Sequence, residues 1–278
     1  MSWIEVRANF SKPPEDWSPL IDLFLQHGVE NTLQVDFPPS LVACVVDVPG
    51  AAEEVNALRI ELSVAGAHEV LVGPYVEQDW EEAWKKFFKP RRIGKRFVVR
   101  PTWEEFSASP DDLVIVLDPG QAFGTGDHAT TRMCLALMEE VPVCGAHVLD
   151  IGCGSGVLAI GAKLLGAADV LAVDIDPLAV EVTKENAATN GVQISTQVSD
   201  GMPAIAQAPN LVLSNIISAA LIRISADVAI AIAPQGNWIV SGILKANWPD
   251  VRKAAEAQGF GFVKSSEEDD WIAAIFRR

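Results

Sequence analysis

The chain is 278 residues long and 49% hydrophobic, with a mean hydropathy of +0.22. That composition builds a full core and excludes intrinsic disorder, and the length suits one large domain or a medium and a small one. A net charge of −16, with a sequence pI of about 4.6, repels nucleic-acid phosphates and would attract a basic partner, although charge on this scale also serves solubility alone.

No apolar run reaches the ~20 residues that span a bilayer. Met1–Val6 lacks the basic-then-apolar order of a secretory signal. Cys44, Cys134, Cys144 and Cys153 show neither zinc-site spacing nor a disulfide framework, so a cytoplasmic protein with reduced thiols and no metal is expected.

Acidity is uneven. Residues 1–75 hold 11 acidic against 3 basic side chains; then Lys85, Lys86, Lys89, Arg91, Arg92, Lys95, Arg96 and Arg100 follow with no acid between them. The change of sign predicts a boundary: a small α+β recognition domain over 1–75, a linker helix over 76–96 and a larger domain over 97–278. In the first, Trp3–Ala8 alternates as a strand and Leu20–Gln26 has helical spacing, stopped at Gly28. Val42–Val48 reads as a strand ended by Pro49-Gly50, Ala52–Ala65 as an amphipathic helix and Glu69–Val72 as a short strand. This order suits a ferredoxin-like sandwich.

The linker pattern runs from Gln78 to Phe88, with Trp80, Trp84, Phe87 and Phe88 along one side as packing residues, and Pro90 ends it. Its basic charges are expected to face solvent. Phe97–Arg100 and Leu113–Leu117 read as a pair of strands, and Thr131–Glu139 as a helix. From Val148 onward strands alternate with helices. The strands are Val148–Ile151, Val170–Val173, Ile194–Val198, Leu211–Asn215 and Trp238–Ser241; the helices are Val157–Leu165, Pro177–Asn190, Ala219–Ile232 and Ala246–Gln258. Phe260–Val263 and Trp271–Phe276 would close the edge as a hairpin. The pattern predicts an α/β fold, Rossmann-like, with a seven-stranded, mostly parallel sheet.

The most informative stretch is Val148-Leu149-Asp150-Ile151-Gly152-Cys153-Gly154-Ser155-Gly156. An apolar strand runs into three alternate glycines and a helix follows at once, so a ligand can approach the backbone closely. The spacing is G-x-G-x-G, not the G-x-G-x-x-G shaped around a pyrophosphate. The next strand ends at Asp174, where a carboxylate can hold ribose hydroxyls. Asp176-Pro177 is read as a helix cap followed by a first-turn proline. A second glycine-rich stretch, Asp118 to Thr131, has a plainer reading as a loop with a Thr cap and a functional one as a lid over a cofactor.

The motif D-P-G-x-A-F-G-T-G-x-H-x-T-T from Asp118, followed by D-I-G-C-G-S-G-V-L-A-I from Asp150, resembles the bacterial ribosomal protein L-eleven methyltransferase family. Phe88, Pro90, Gly94, Pro101 and Trp103, and Ser241-Gly242-Ile243-Leu244, agree with it. The resemblance covers both domains. It implies a class I methyltransferase that uses S-adenosyl-L-methionine to methylate amino groups, lysine side chains and the N-terminal amine, of a small basic ribosomal protein. It also implies that Phe123 lines the adenosine pocket, Thr131 contacts the cofactor, Gly152 lies beneath it, Asp174 holds the ribose and Asn215 lies beside the methyl group as the catalytic residue. Asn suits that place, because its carbonyl oxygen can accept from an amine and orient it. The chain departs from the family at Ala129, where Pro is usual, and over Ile217-Ser218-Ala219-Ala220-Leu221, where Leu and then a Pro-Leu pair are usual.

The cofactor carries the hard chemistry, so no obligatory base is expected; His128 is the candidate if there is one, and its plainer reading is a hydrogen-bond partner. A monomer is expected. Other readings stay open: a different protein or a small molecule as acceptor, a non-catalytic binding module, a dinucleotide oxidoreductase, which the glycine spacing disfavours, and RNA methylation, which only the basic stretch supports.

Overall fold

The computed structural model describes residues 3–14, 16–29, 32–35, 39–74, 88–118 and 128–278, and the chain divides into two compact units, Met1–Lys85 and Lys86–Arg278. The first unit runs β1 (Trp3–Asn9), α1 (Ser18–Gln26), β2 (Thr32–Val35), β3 (Ser40–Val46), α2 (Ala51–Val64) and β4 (Glu69–Pro74). Its sheet has the order β2-β3-β1-β4, with β1 antiparallel to both neighbours. That is the split βαβ arrangement of a ferredoxin-like sandwich. Alternation along β1 decides which face is covered. Val6 and Ala8 pack with Phe24, Leu41, Leu58 and Leu62, while Glu5 and Arg7 point the other way and pair at 3.2 Å. The sequence reading missed β2, a short edge strand whose Leu33 and Gln34 are exposed.

The second unit begins with β5 (Arg91–Ile93), β6 (Phe97–Arg100) and β7 (Leu113–Val116). β5 and β6 form an antiparallel pair, and β6 and β7 a parallel one. The linker helix expected over 78–87 lies outside the described residues; Arg91–Ile93, assigned to the same segment, is strand. The basic charges expected to face solvent are in part paired. Arg92 forks onto Asp112 at 2.7 and 3.0 Å, and Lys89 meets Glu104 at 2.6 Å. The turn between β5 and β6 closes around Glu139, just after α3 (Ala129–Met138). The Glu139 carboxylate accepts N–H groups from Lys95 (2.7 Å), Arg96 (2.7 Å) and Phe97 (3.3 Å).

Then come β8 (His147–Ile151), α4 (Val157–Leu164), β9 (Asp169–Asp174), α5 (Pro177–Thr189), β10 (Ser195–Val198), β11 (Leu211–Asn215), α6 (Ser218–Ala231), β12 (Asn237–Leu244), α7 (Trp248–Ala257), β13 (Gly261–Glu268) and β14 (Trp271–Arg277). They form a seven-stranded sheet of order β10-β9-β8-β11-β12-β14-β13, in which β14 alone runs against the rest. Its central strands are buried on both faces. Leu211 and Leu213 join a core with Met133, Leu135, Leu158 and Ile160; Val212 joins another with Leu221, Val228 and Trp238. That double burial is why these strands read as continuous apolar runs. Helix α7 starts at Trp248 rather than Ala246, because a 3₁₀ turn, Lys245–Asn247, precedes it. No helix among the described residues is long and apolar enough to cross a membrane.

Three backbone N–H groups lose their acceptor if Glu139 is truncated. Glu139→Ala should lower the stability of the second unit by about 2–3 kcal/mol in urea unfolding, and Glu139→Gln by less, since one amide oxygen still accepts.

Candidate functional site

β8 and β11 pair directly, and from them the sheet grows in opposite directions, β8 towards β9 and β11 towards β12. In open parallel sheets the crevice at the carboxyl ends of such a reversal is where ligands lodge. A cavity of about 250 Å³ opens there, with Thr131, Gly152, Asp174 and Asn215 in its walls. Four of the five site residues expected from sequence are thus brought together. Phe123 lies outside the described residues, with the rest of 119–127.

The glycine loop is held from below and from the side. Gly152 and Cys153 donate their N–H groups to the Val173 carbonyl at 2.8 and 3.0 Å, so the loop is sewn to β9. From α5, Thr183 donates to the Gly154 carbonyl (3.0 Å) and Asn186 to the Ser155 carbonyl (2.8 Å). Gly152 adopts φ +80°, and a Cβ there would overlap the Ile216 side chain. Asp174 accepts the Gly154 N–H at 2.9 Å and the Asp176 N–H at 3.0 Å, which fixes its carboxylate at the rim of the loop. Asp176 is the cap expected of it, accepting the Leu178 N–H at 2.9 Å.

Across the crevice, Asn215 ends β11, and the next N–H, that of Ile216, is bonded to the Ser241 carbonyl at 3.2 Å. The Asn215 amide donates through Nδ2 to the Thr131 hydroxyl at 3.3 Å, and its Oδ1 is buried with no partner among the described residues. Behind Ile216, Gly242 sits at φ +81° where the β12–β14 register shifts, and a Cβ there would overlap the Ile216 backbone. The Ser241-Gly242 pair of the sequence motif therefore has a steric purpose.

One expectation is corrected. The residue capping α3 is His128, not a threonine: its ring nitrogen Nδ1 accepts the Thr130 N–H at 3.4 Å and lies 2.8 Å from the Thr130 hydroxyl. The ring also meets Trp271 edge-on, with centroids 5.1 Å apart. His128 is thus hydrogen-bonded at the start of the helix. Ala129 is the first residue of α3, a place that proline also suits. Ala220, in the cavity wall, donates its N–H to the Ile217 carbonyl at 3.0 Å, a bond that a proline there could not make. Ile217 itself is 71% exposed.

Sequence reasoning missed Ser199, Asp200 and Arg223. The Ser199 N–H donates to the Asp174 carbonyl at 2.8 Å, and Asp200 pairs with Arg223 at 2.6 Å; the guanidinium holds the Asp200 carboxyl below its ordinary range. The signal was available, since Asp200 follows the end of β10 and precedes a glycine, much as Asp174 ends β9. The lining thus holds two carboxylates, and Arg223 is already committed to one of them. Such walls fit a ligand with hydroxyls and positive charge better than a polyphosphate. The glycine cradle and the orphaned Asn215 oxygen fit an amino-acid nucleoside with room for an amine beside it. Among the described residues no group of three or more His, Cys, Asp or Glu is arranged to hold a metal ion.

The sheet order and the crevice define a Rossmann-like methyltransferase. The chain belongs to the family described as ribosomal protein L11 methyltransferase (PrmA), whose model matches residues 41–278. The ribosomal protein L11 methyltransferase of Pelotomaculum thermopropionicum is 44% identical to it, over all of this chain and 99% of the relative. That of Heliobacterium modesticaldum is 43% identical, over 81% of this chain and 74% of the relative. The crystal structure of a ribosomal protein L11 methylase from Lactobacillus delbrueckii subsp. bulgaricus superposes with a TM-score of 0.65 at 30% identity, covering 69% of this chain and 99% of that one.

Beneath the glycine loop, Asp150 is fully buried. One oxygen accepts the Ala159 N–H at 3.2 Å and the other has no partner among the described residues. Burial pushes its carboxyl from 3.8 up to about 7; the Ala159 bond opposes the rise and the Asp174 charge adds to it. Between these two values the folded state binds the extra proton, so stability is full below the unfolded value and is lost as pH rises through the folded one. Thermal melting from about pH 5 to about pH 8 should show Tm falling, and Asp150→Asn, which keeps an acceptor for Ala159, should flatten that slope.

Proposed function

We propose that this chain transfers methyl groups from S-adenosyl-L-methionine to amino groups, lysine side chains and the N-terminal amine, of ribosomal protein L11. The observation that carries this reading is the convergence of Gly152, Asp174 and Asn215 at the carboxyl ends of β8, β9 and β11. In this reading Asp174 accepts hydrogen bonds from the ribose hydroxyls, Gly152 lets the cofactor lie against the backbone, Thr131 and Phe123 line the pocket, and Asn215 receives the incoming amine. The cofactor supplies a methyl group already activated on sulfonium sulfur. An acceptor lysine must lose its proton first, from an ordinary pKa of about 10.4. Ile216, Ile224 and Ala220 give the cavity an apolar wall, which favours the neutral amine. Asn215 then orients the amine, and alignment supplies much of the remaining rate.

The front domain, residues 1–75, is the docking module in this reading, joined by the linker over 76–96 to the catalytic domain over 97–278. Its 11 acidic against 3 basic residues suit a basic protein, by steering and charge complementarity. On the sheet face away from Val6 and Ala8, Leu33 and Leu71 are at least half exposed and offer apolar contact. The protein works in this account as a cytoplasmic monomer, where ribosomal proteins are made and before they are buried in the ribosome.

The test is transfer of labelled methyl from S-adenosylmethionine to purified L11, beside a whole-cell protein extract and total RNA. Label should enter L11, and Asp174→Ala should weaken cofactor binding by ~100-fold or more, the worth of two hydrogen bonds to a carboxylate. Label only in another protein or in RNA would keep the methyltransferase and replace the acceptor.

A further inference from the structure

Resting on the reading of the front domain as the docking module, we propose that His27 is a proton-operated tie between α1 and α2, which makes acceptor docking sensitive to pH.

His27 ends α1, and each nitrogen of its ring meets a carboxylate. Nδ1 lies 2.9 Å from Glu54 and Nε2 lies 3.2 Å from Glu61. Both acids stand on α2, two turns apart, with Leu58 between them; Leu58 is fully buried in one core with Phe24 of α1. A carboxylate ion accepts hydrogen bonds and has none to give, and a neutral imidazole donates from one nitrogen only. Bonds from both nitrogens therefore require the imidazolium. Two further features favour that charge: the ring sits at the carboxyl end of a helix, and residues 1–75 carry 11 acidic against 3 basic side chains. The hydrogen bond to Glu54, with Glu61 behind it, raises the His27 pKa above its ordinary 6.5 against the opposing effect of burial.

The other charged groups of the two helices are Asp22, Glu53 and Arg59. Asp22 and Glu53 are exposed, and Arg59 donates to Asn56 at 3.1 Å. On the strands beneath, Arg7 pairs with Glu5, and Glu69 accepts from Asn9 at 2.9 Å. So the tie turns on His27, Glu54 and Glu61. The two helices back the sheet whose other face carries Leu33 and Leu71, and that face holds its shape only as firmly as its backing is held. Because the folded value is the raised one, the tie is whole below 6.5 and is lost as pH rises through the folded value.

The full-length wild type would be compared with His27→Gln and with the double variant Glu54→Gln/Glu61→Gln. Hydrogen exchange read by mass spectrometry follows the opening of α1 and α2, and comparison at one pH cancels the intrinsic exchange rate. At about pH 6 both variants should exchange ~3-fold or more faster than wild type over the two helices, and at about pH 9 all three should agree within ~2-fold. KM for L11 should follow the same course, raised ~3-fold in the variants at about pH 6 and converging at about pH 9, with kcat unchanged. In NMR the His27 ring should titrate at lower pH in the double variant than in wild type. The double variant keeps the test alive if His27→Gln disturbs folding. The proposal is overturned if the difference in exchange is the same at both pH values, if His27 titrates alike in wild type and the double variant, or if KM stays at the wild-type value while exchange differs. A wild type that methylates no L11 would sink the functional reading and the link to docking with it, while exchange and titration would still decide the tie.

Discussion

Ile216 is wedged between two glycines, and the geometry of the site depends on that wedge. Gly152 opens the loop after β8 and Gly242 bends β12, and at either place a single added methyl group would collide with Ile216. The residue immediately before the wedge is Asn215. Any side chain on either glycine would push the end of β11 away from the crevice and carry the amide with it. Both glycines sit at positive φ, so the penalty for another residue is conformational as well as steric. The close approach of three strand ends is what lets one small cavity touch β8, β9 and β11 together.

Around that wedge the polar groups are arranged so that each fixes another. Asp174 is held by two backbone N–H groups, the loop carbonyls are held by Thr183 and Asn186, and Ser199 ties the end of β10 to Asp174. Among the described residues of the site, the two atoms left out are buried oxygens, one on Asp150 under the loop and one on Asn215 across from it. They differ in consequence. The Asp150 oxygen belongs to a group that can take up a proton and so answer its own burial. The Asn215 oxygen has no such recourse, and no donor among the described residues meets it.

Much of this was legible in the sequence, and the limits have physical reasons. Leu211–Asn215 was bounded correctly because a strand buried on both faces is an unbroken apolar run with a polar residue at its end. That Gly152 and Asp174 face one crevice was legible because alternate glycines after a strand, and a carboxylate ending the next strand, leave a local mark. β2 and β5 were not, since an exposed edge strand of four residues and a strand of Arg-Arg-Ile carry no alternation to read. The parallel pairing of β6 with β7 is a long-range fact that spacing does not encode. His128 was read as a candidate base with a hydrogen-bonding alternative; it stands one residue before the helix, in place of the expected threonine cap, which a loop histidine gave no sign of. The bond between Thr131 and Asn215 left no trace at all, because it joins two elements that are neighbours only after the sheet has formed.

Trp238 gives the second unit an optical signature. Its indole is 1% exposed, donates to the Ser214 hydroxyl at 3.1 Å, and is flanked by Phe260 and Phe276 with ring centroids at 5.2 and 6.3 Å. An indole so enclosed emits to the blue of one in water, whereas Trp3, in the first unit, is 40% exposed and emits further to the red. Among the described tryptophans Trp238 alone is buried, Trp17, Trp103, Trp248 and Trp271 being intermediate. Because Ser214 is the residue next to Asn215, the blue component reports on the strand that ends in the site, so loosening of that strand can be followed by light in the unlabelled protein.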